Sequence, residues 1–229
     1  LKDFNLQVKE GERMAVIGRT GSGKSTLAQL LLRMFDTTGG RLELEGRDIR
    51  QISLRSLREQ VSYVPQDVFL FSDTVSGNIS FGLGKAPAGA VENAARQASV
   101  DREIAGFSKQ YDTLVGERGV TLSGGQKQRI SIARALIKEP GLIIFDDCLS
   151  AVDAHTEKVI LGQLNEYLAG KTAIIITHRI FTLLQFDRVI VLEDGKIIEQ
   201  GTHNELLKQK GFYTGLYSRQ QLEEQTTAE

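Results

Sequence analysis

Residues 18–26 read Gly18-Arg19-Thr20-Gly21-Ser22-Gly23-Lys24-Ser25-Thr26, and Gly18 followed by Gly23-Lys24-Ser25 has the spacing of a phosphate-binding loop. Each residue type carries part of a mechanism. Small residues let the backbone curl until successive N–H groups face one anion. The positive end of a following helix adds to the same spot. The Lys24 ammonium can bridge the β- and γ-phosphates of a nucleotide, and the Ser25 hydroxyl can sit on Mg²⁺. Such a motif needs a strand before it and a helix behind it. Arg13-Met14-Ala15-Val16-Ile17 reads as a short buried strand, and Leu27, Leu30, Leu31 and Met34 recur at helical spacing. A plain glycine-rich turn would not require those flanks.

A second motif, Leu122-Ser123-Gly124-Gly125-Gln126, stands just ahead of a predicted helix. Alone, Ser123 could be an ordinary helix N-cap. Together with the loop at 18–26, the chain resembles the nucleotide-binding domain of ATP-binding cassette (ABC) proteins, whose signature is LSGGQ. The resemblance implies an α/β fold: a P-loop NTPase (RecA-like) core, an antiparallel β subdomain and an α-helical signature subdomain. It also implies a head-to-tail pair of cassettes with ATP between them. Gly18, Arg19, Thr20, Gly21, Ser22, Gly23, Lys24, Ser25 and Thr26 of one would cradle the phosphates. Ser123, Gly124, Gly125 and Gln126 of the other would cap them.

The resemblance extends residue by residue. Leu142-Ile143-Ile144-Phe145-Asp146 resembles the Walker B strand, with Asp146 as a Mg²⁺ ligand beside Ser25. Gln66 resembles the glutamine that senses Mg²⁺ and attacking water while contacting the transport domain. Ser150-Ala151-Val152-Asp153 resembles the loop that communicates across the pair, and His178 the switch histidine of the γ-phosphate. The segment 113–119 resembles an exporter loop in which Glu117 faces the transmembrane part, and Phe69-Leu70-Phe71 with Asn78-Ile79 points the same way. Together these resemblances imply a motor cassette of an exporter, at the cytoplasmic face of a cell membrane. No adenine-stacking aromatic is assigned, because Phe4 is too near the loop.

Asp147 departs from the pattern, since most hydrolysing cassettes place a glutamate there to polarise water. Acidity barely separates the two, at pKa ~3.9 against ~4.3. Reach does: a base must lie within about 2.6–3.2 Å of its proton, and ~1 Å of misplacement can cost ~10²-fold. The expectation is a slow site in this chain, an intact signature that completes a faster site in a non-identical partner, and hence an asymmetric pair. Two other readings stay open: a nucleotide-gated module with negligible hydrolysis, and a soluble ABC ATPase.

The elements that must hold these residues are legible in outline. Apolar runs at 142–145, 172–177 and 188–192 read as buried parallel strands. The last is followed by the hairpin dipeptide Asp194-Gly195 and a return strand at 196–199. Residues 41–45 alternate as a half-exposed strand. Ile160, Leu164, Tyr167 and Leu168 form a helical stripe closed by Gly170. Between 76 and 138 strand signals vanish, and 91–98 and 129–137 read as helices. The expected organisation is a core of 1–70 and 139–205, a helical subdomain at 71–138, and a C-terminal helix and tail at 206–229, its last ten residues fraying.

Composition narrows the class. The 229 residues carry a net charge of −1, which gives no footprint for nucleic acid; Arg41, Arg47, Arg50, Arg55 and Arg58 read as a solvated face. The one cysteine, Cys148, can form no internal disulfide, which fits a reducing compartment. No apolar run approaches the ~18 residues of a membrane helix. The opening Leu1-Lys2-Asp3-Phe4 runs straight into strand-like sequence and is read as the start of a segment of a larger polypeptide.

Overall fold

The computed structural model describes residues 1–116, 122–149, 154–178, 180 and 186–227. Its elements run β1 (Arg13–Gly18), α1 (Lys24–Leu31), β2 (Glu43–Leu44), β3 (Arg47–Asp48), α2 (Leu54–Gln60), β4 (Val61–Val64), α3 (Val75–Ile79) and α4 (Ala90–Gln97). They continue with α5 (Asp101–Ala105), α6 (Gly124–Leu136), β5 (Leu142–Asp146), α7 (Ala154–Tyr167), β6 (Thr172–Ile176), β7 (Arg188–Glu193), β8 (Lys196–Gly201), α8 (His203–Gln209) and α9 (Phe212–Thr227). The chain is α/β and falls into two compact units, Leu1–Arg58 with Gly170–Glu229, and Glu59–Ala169.

In the first unit β1 lies between β6 and β7 and runs parallel to both, with Ala15 opposite Ile175 on one side and Val189 on the other. Met14, Ala15, Val16 and Ile17 are wholly buried, as parallel strands covered on both faces require. Burying each of the larger three is worth roughly 1.5–3 kcal/mol. β8 returns antiparallel along β7 through Asp194 and Gly195, at φ 47° and 77°. Two positive φ values are what a tight two-residue hairpin demands. β1 stops at Gly18, where a Cβ would stand 2.3 Å from the Leu192 carbonyl oxygen. Only glycine lets the chain leave the sheet there.

In the second unit β4 and β5 pair in parallel, with Tyr63 opposite Ile144. α6 packs on β4, α3 and α4 through a face that includes the buried Ile130, Ala133 and Leu136.

Four expectations need correction. Met34 lies beyond the end of α1 and is 55% exposed, because Arg33 turns left-handed at φ 49° and takes the chain off the helix. The strand expected at 41–45 keeps only Glu43–Leu44 in a ladder, since Glu45 and Gly46 at φ 53° and 74° form the turn into β3. β4 was not expected at all: its four residues are too short a run to stand out. Finally, 220–227 is helical and continues α9.

Candidate functional site: a phosphate loop, a signature helix and an acid strand

The loop at 18–26 joins β1 to α1 inside the first unit. Gly21 and Gly23 hold φ 82° and 105°, backbone that side chains rarely tolerate. α1 begins with no side-chain cap and no acidic residue in its first turn. Its first intrahelical bond runs from the Leu27 N–H to the Gly23 carbonyl, so the amides of Lys24, Ser25 and Thr26 have no acceptor within the helix. Lys24 is buried, and its Nζ donates to the carbonyls of Gly18 at 2.7 Å and Arg19 at 2.9 Å. The Ser22 hydroxyl is buried without a hydrogen-bond partner. Arg19, Thr20, Gly21, Ser25 and Thr26 are exposed. Amides with no helical acceptor, an ammonium folded over the loop and a helix dipole with no competing carboxylate make a cradle that fits a polyphosphate. His178 lies in the same unit, exposed, two residues past the end of β6, after the buried Thr177.

The second unit holds the acids and the signature. Asp146 closes the wholly buried β5 and is itself 4% exposed. Its Oδ2 accepts a hydrogen bond from the Tyr63 hydroxyl at 3.0 Å. Burial first, then the charge of Asp146, pushes the Tyr63 phenol above its ordinary value. Tyr63 therefore stays a donor and fixes one oxygen of the carboxylate. Asp147 sits at φ 47°, and its Oδ2 accepts from Gln66 Nε2 at 3.4 Å. Gln66 is exposed. Cys148 next in line is buried and its thiol is pushed well up by burial, so it packs rather than reacts.

At the head of α6, Ser123 Oγ accepts from the Gln126 N–H at 3.2 Å while Gln126 Oε1 accepts from the Ser123 N–H at 3.0 Å. This capping box occupies two of the four amides at the helix start. The amides of Gly124 and Gly125 have no acceptor in the helix, and no acidic residue stands in the first turn. Ser123 and Gly124 are exposed. The signature residues thus form an ordinary N-cap that leaves two amides at the helix start without an acceptor in the helix.

With this geometry in view, a comparison with known families decides the matter: the family model described as ABC transporter matches residues 1–150. The chain belongs to the ABC transporter family. It is 43% identical over 229 residues to "ABC transporter ATM1" of Toxoplasma gondii, covering all of this chain and 20% of that protein. It is 44% identical over 218 residues to the "ATP-dependent lipid A-core flippase" of Alkalilimnicola ehrlichii, covering 95% of this chain and 37% of that one. A solved structure of a bacterial Atm1-family ABC exporter with ATP bound matches 95% of this chain and 38% of its own, at a TM-score of 0.91 and 42% identity. This ABC chain therefore has the P-loop cassette fold and spans a fifth to two fifths of the length of such relatives.

The ABC motifs divide between the units. Residues 18–26 and His178 lie in the first; Gln66, Asp146, Asp147 and the signature lie in the second, where Gln66 meets Asp147. Glu117, with the rest of the exporter loop from 117 to 119, and the stretch 150–153 lie outside the described residues. Among the described residues no group of three or more His, Cys, Asp or Glu side chains could hold a metal by itself. Sequence reasoning missed Tyr63. Only its position in 61–64, a strand paired with Walker B, could have flagged it.

Proposed function

We propose that this chain is the ATP-driven motor of a membrane exporter, working as one of two cassettes that close on ATP and Mg²⁺. The observation that carries this reading is the phosphate cradle: the glycine loop, the buried Lys24 and the uncapped, acid-free start of α1. Lys24 neutralises the β- and γ-phosphates. Ser25 in the first unit would be a ligand to Mg²⁺; in the second unit Asp146 would be another, with Gln66 as a metal-sensing group and Tyr63 keeping Asp146 oriented. When bound, ATP supplies the phosphoanhydride bond and Mg²⁺ the charge neutralisation. Asp147 takes the proton of the attacking water, and His178 stabilises the γ-phosphate. Ser123, Gly124, Gly125 and Gln126 cap the ATP held by the other cassette. Residues 1–70 with 139–205 act as the catalytic core, 71–138 as the signature arm and 206–229 as its support.

Membrane coupling is supported by an apolar face in the second unit. Phe69 and Phe81 are 55% and 50% exposed, and Phe71 stacks on Phe81 with centroids 4.0 Å apart. Arg134 backs them, donating to the carbonyls of Phe69 at 2.9 Å and Asn78 at 2.8 Å. This face, the Gln66 loop and Glu117 are the proposed contacts with a transmembrane domain. No described helix is long and apolar enough to cross a membrane. The reading places the cassette on the cytoplasmic side of the transmembrane domain. The partner is a second cassette; the case for a non-identical one rests on Asp147 alone. Lys24→Ala in the full-length protein is expected to lower ATP·Mg²⁺ affinity and turnover by at least ~10²-fold. Retained binding of a fluorescent ATP analogue would contradict the reading.

A further inference from the structure

α9 is tied to both functional features of the first unit. Its start is capped by Glu199 of β8, whose carboxylate accepts from the backbone N–H groups of Phe212 and Tyr213, the latter at 3.1 Å. The Phe212 ring lies under the Arg19 guanidinium of the phosphate loop, 5.6 Å from carbon to ring centroid. Two turns further along, Gln220 Oε1 accepts from the Ile180 N–H at 2.8 Å. The same side chain's Nε2 donates to the His178 carbonyl. One primary amide therefore grips the backbone at two residues, one of them the histidine. Of the side chains long enough to do so, only glutamine offers a donor and an acceptor side by side without charge. Ile180 is wholly buried and His178 exposed. The clamp thus ties an exposed residue and a buried one to the same side chain.

We infer that Gln220 is a positioning residue for His178: α9 sets the backbone that carries the imidazole, through the two hydrogen bonds of the Gln220 amide. The inference rests on the reading that His178 acts at the γ-phosphate. His178 is exposed beyond the end of β6, and the position of its ring follows that of its backbone. Since about 1 Å of displacement can cost ~10²-fold in rate, a two-point clamp is a substantial part of the site. Glu199 and Phe212 keep the other end of α9 on the same unit, so the helix can act as a strut between the phosphate loop and the histidine.

The test uses the full-length protein and four variants: Gln220→Ala, Gln220→Glu, His178→Ala, and His178→Ala combined with Gln220→Ala. Gln220→Ala is expected to lower kcat about tenfold with the KM for ATP unchanged, and to add nothing to the loss in His178→Ala. Without nucleotide, hydrogen exchange at the Ile180 amide should rise several-fold, up to about tenfold, while β1 and β7 keep their protection. Gln220→Glu, which can still accept from Ile180, should retain that protection but lose kcat, because its carboxylate faces the His178 carbonyl. Unchanged kcat and exchange in Gln220→Ala, or losses that add fully in the double variant, would overturn the inference. If His178→Ala alone left turnover intact, the role of His178 would fail instead, and the exchange data would still decide whether Gln220 holds that segment.

Discussion

Asp147 shows how one carbon and one backbone angle interact. Its φ of 47° lies in left-handed territory, which Asp and Asn visit far more readily than longer side chains. Its carboxylate rests 3.4 Å from the Gln66 amide. A glutamate there would reach about a bond length further at the expense of some backbone strain. Asp147→Glu in the full-length protein is expected to raise ATP turnover by roughly 10²-fold and to lower the melting temperature slightly. Steady-state phosphate release checks the first, and an unchanged rate would mean that reach does not limit this site. The loop and the signature were legible as motifs because each is written in contiguous residues. The Tyr63–Asp146 bond was not, since it joins residues 83 apart and depends on β4 pairing beside β5. Nor was the Gln220 clamp, which spans 42 positions.

At the scale of elements, short polar-faced segments take their structure from tertiary contacts rather than from their own pattern. β4 reads Val-Ser-Tyr-Val, too brief for any period to declare itself. The later part of α9, Gln220-Gln221-Leu222-Glu223 and onward, has no apolar stripe, and it is anchored instead by Glu199 at its start and by the Gln220 clamp. α8 is the opposite case, opened by a Thr202–Glu205 capping box that a reader of the sequence could have found. Next to it His203 packs edge-on to Tyr213 and Tyr217, with ring centroids 5.7 and 5.2 Å away. Burial lowers the His203 pKa below its ordinary 6.5. The unfolded chain therefore binds the proton first, so this contribution to stability is present above that value and is lost as pH falls through the folded one. Between about pH 7.5 and about pH 5.5, the cassette melting temperature should fall more in the wild type than in His203→Gln. Parallel curves for the two would contradict it.

For the whole molecule, the two units each carry half of the chemistry, and the proposed role of the signature is to cap a nucleotide held by another copy. On that proposal two cassettes are required. In the proposed exporter, binding would drive the membrane part only by as much as nucleotide favours the closed pair over the open one. The fold class was legible from the alternation of buried strands and helices, but the identity of a partner is written in surfaces that one chain does not display. The most direct test places cysteines at Thr20 and Ser123 in separate copies of the full-length protein, with the native Cys148 silent because it is buried. A short bismaleimide should join position 20 of one copy to position 123 of the other when Mg²⁺ and a non-hydrolysable ATP analogue are present, and far less without them. No cross-link between copies, or equal yield without nucleotide, would contradict the pairing of cassettes around ATP.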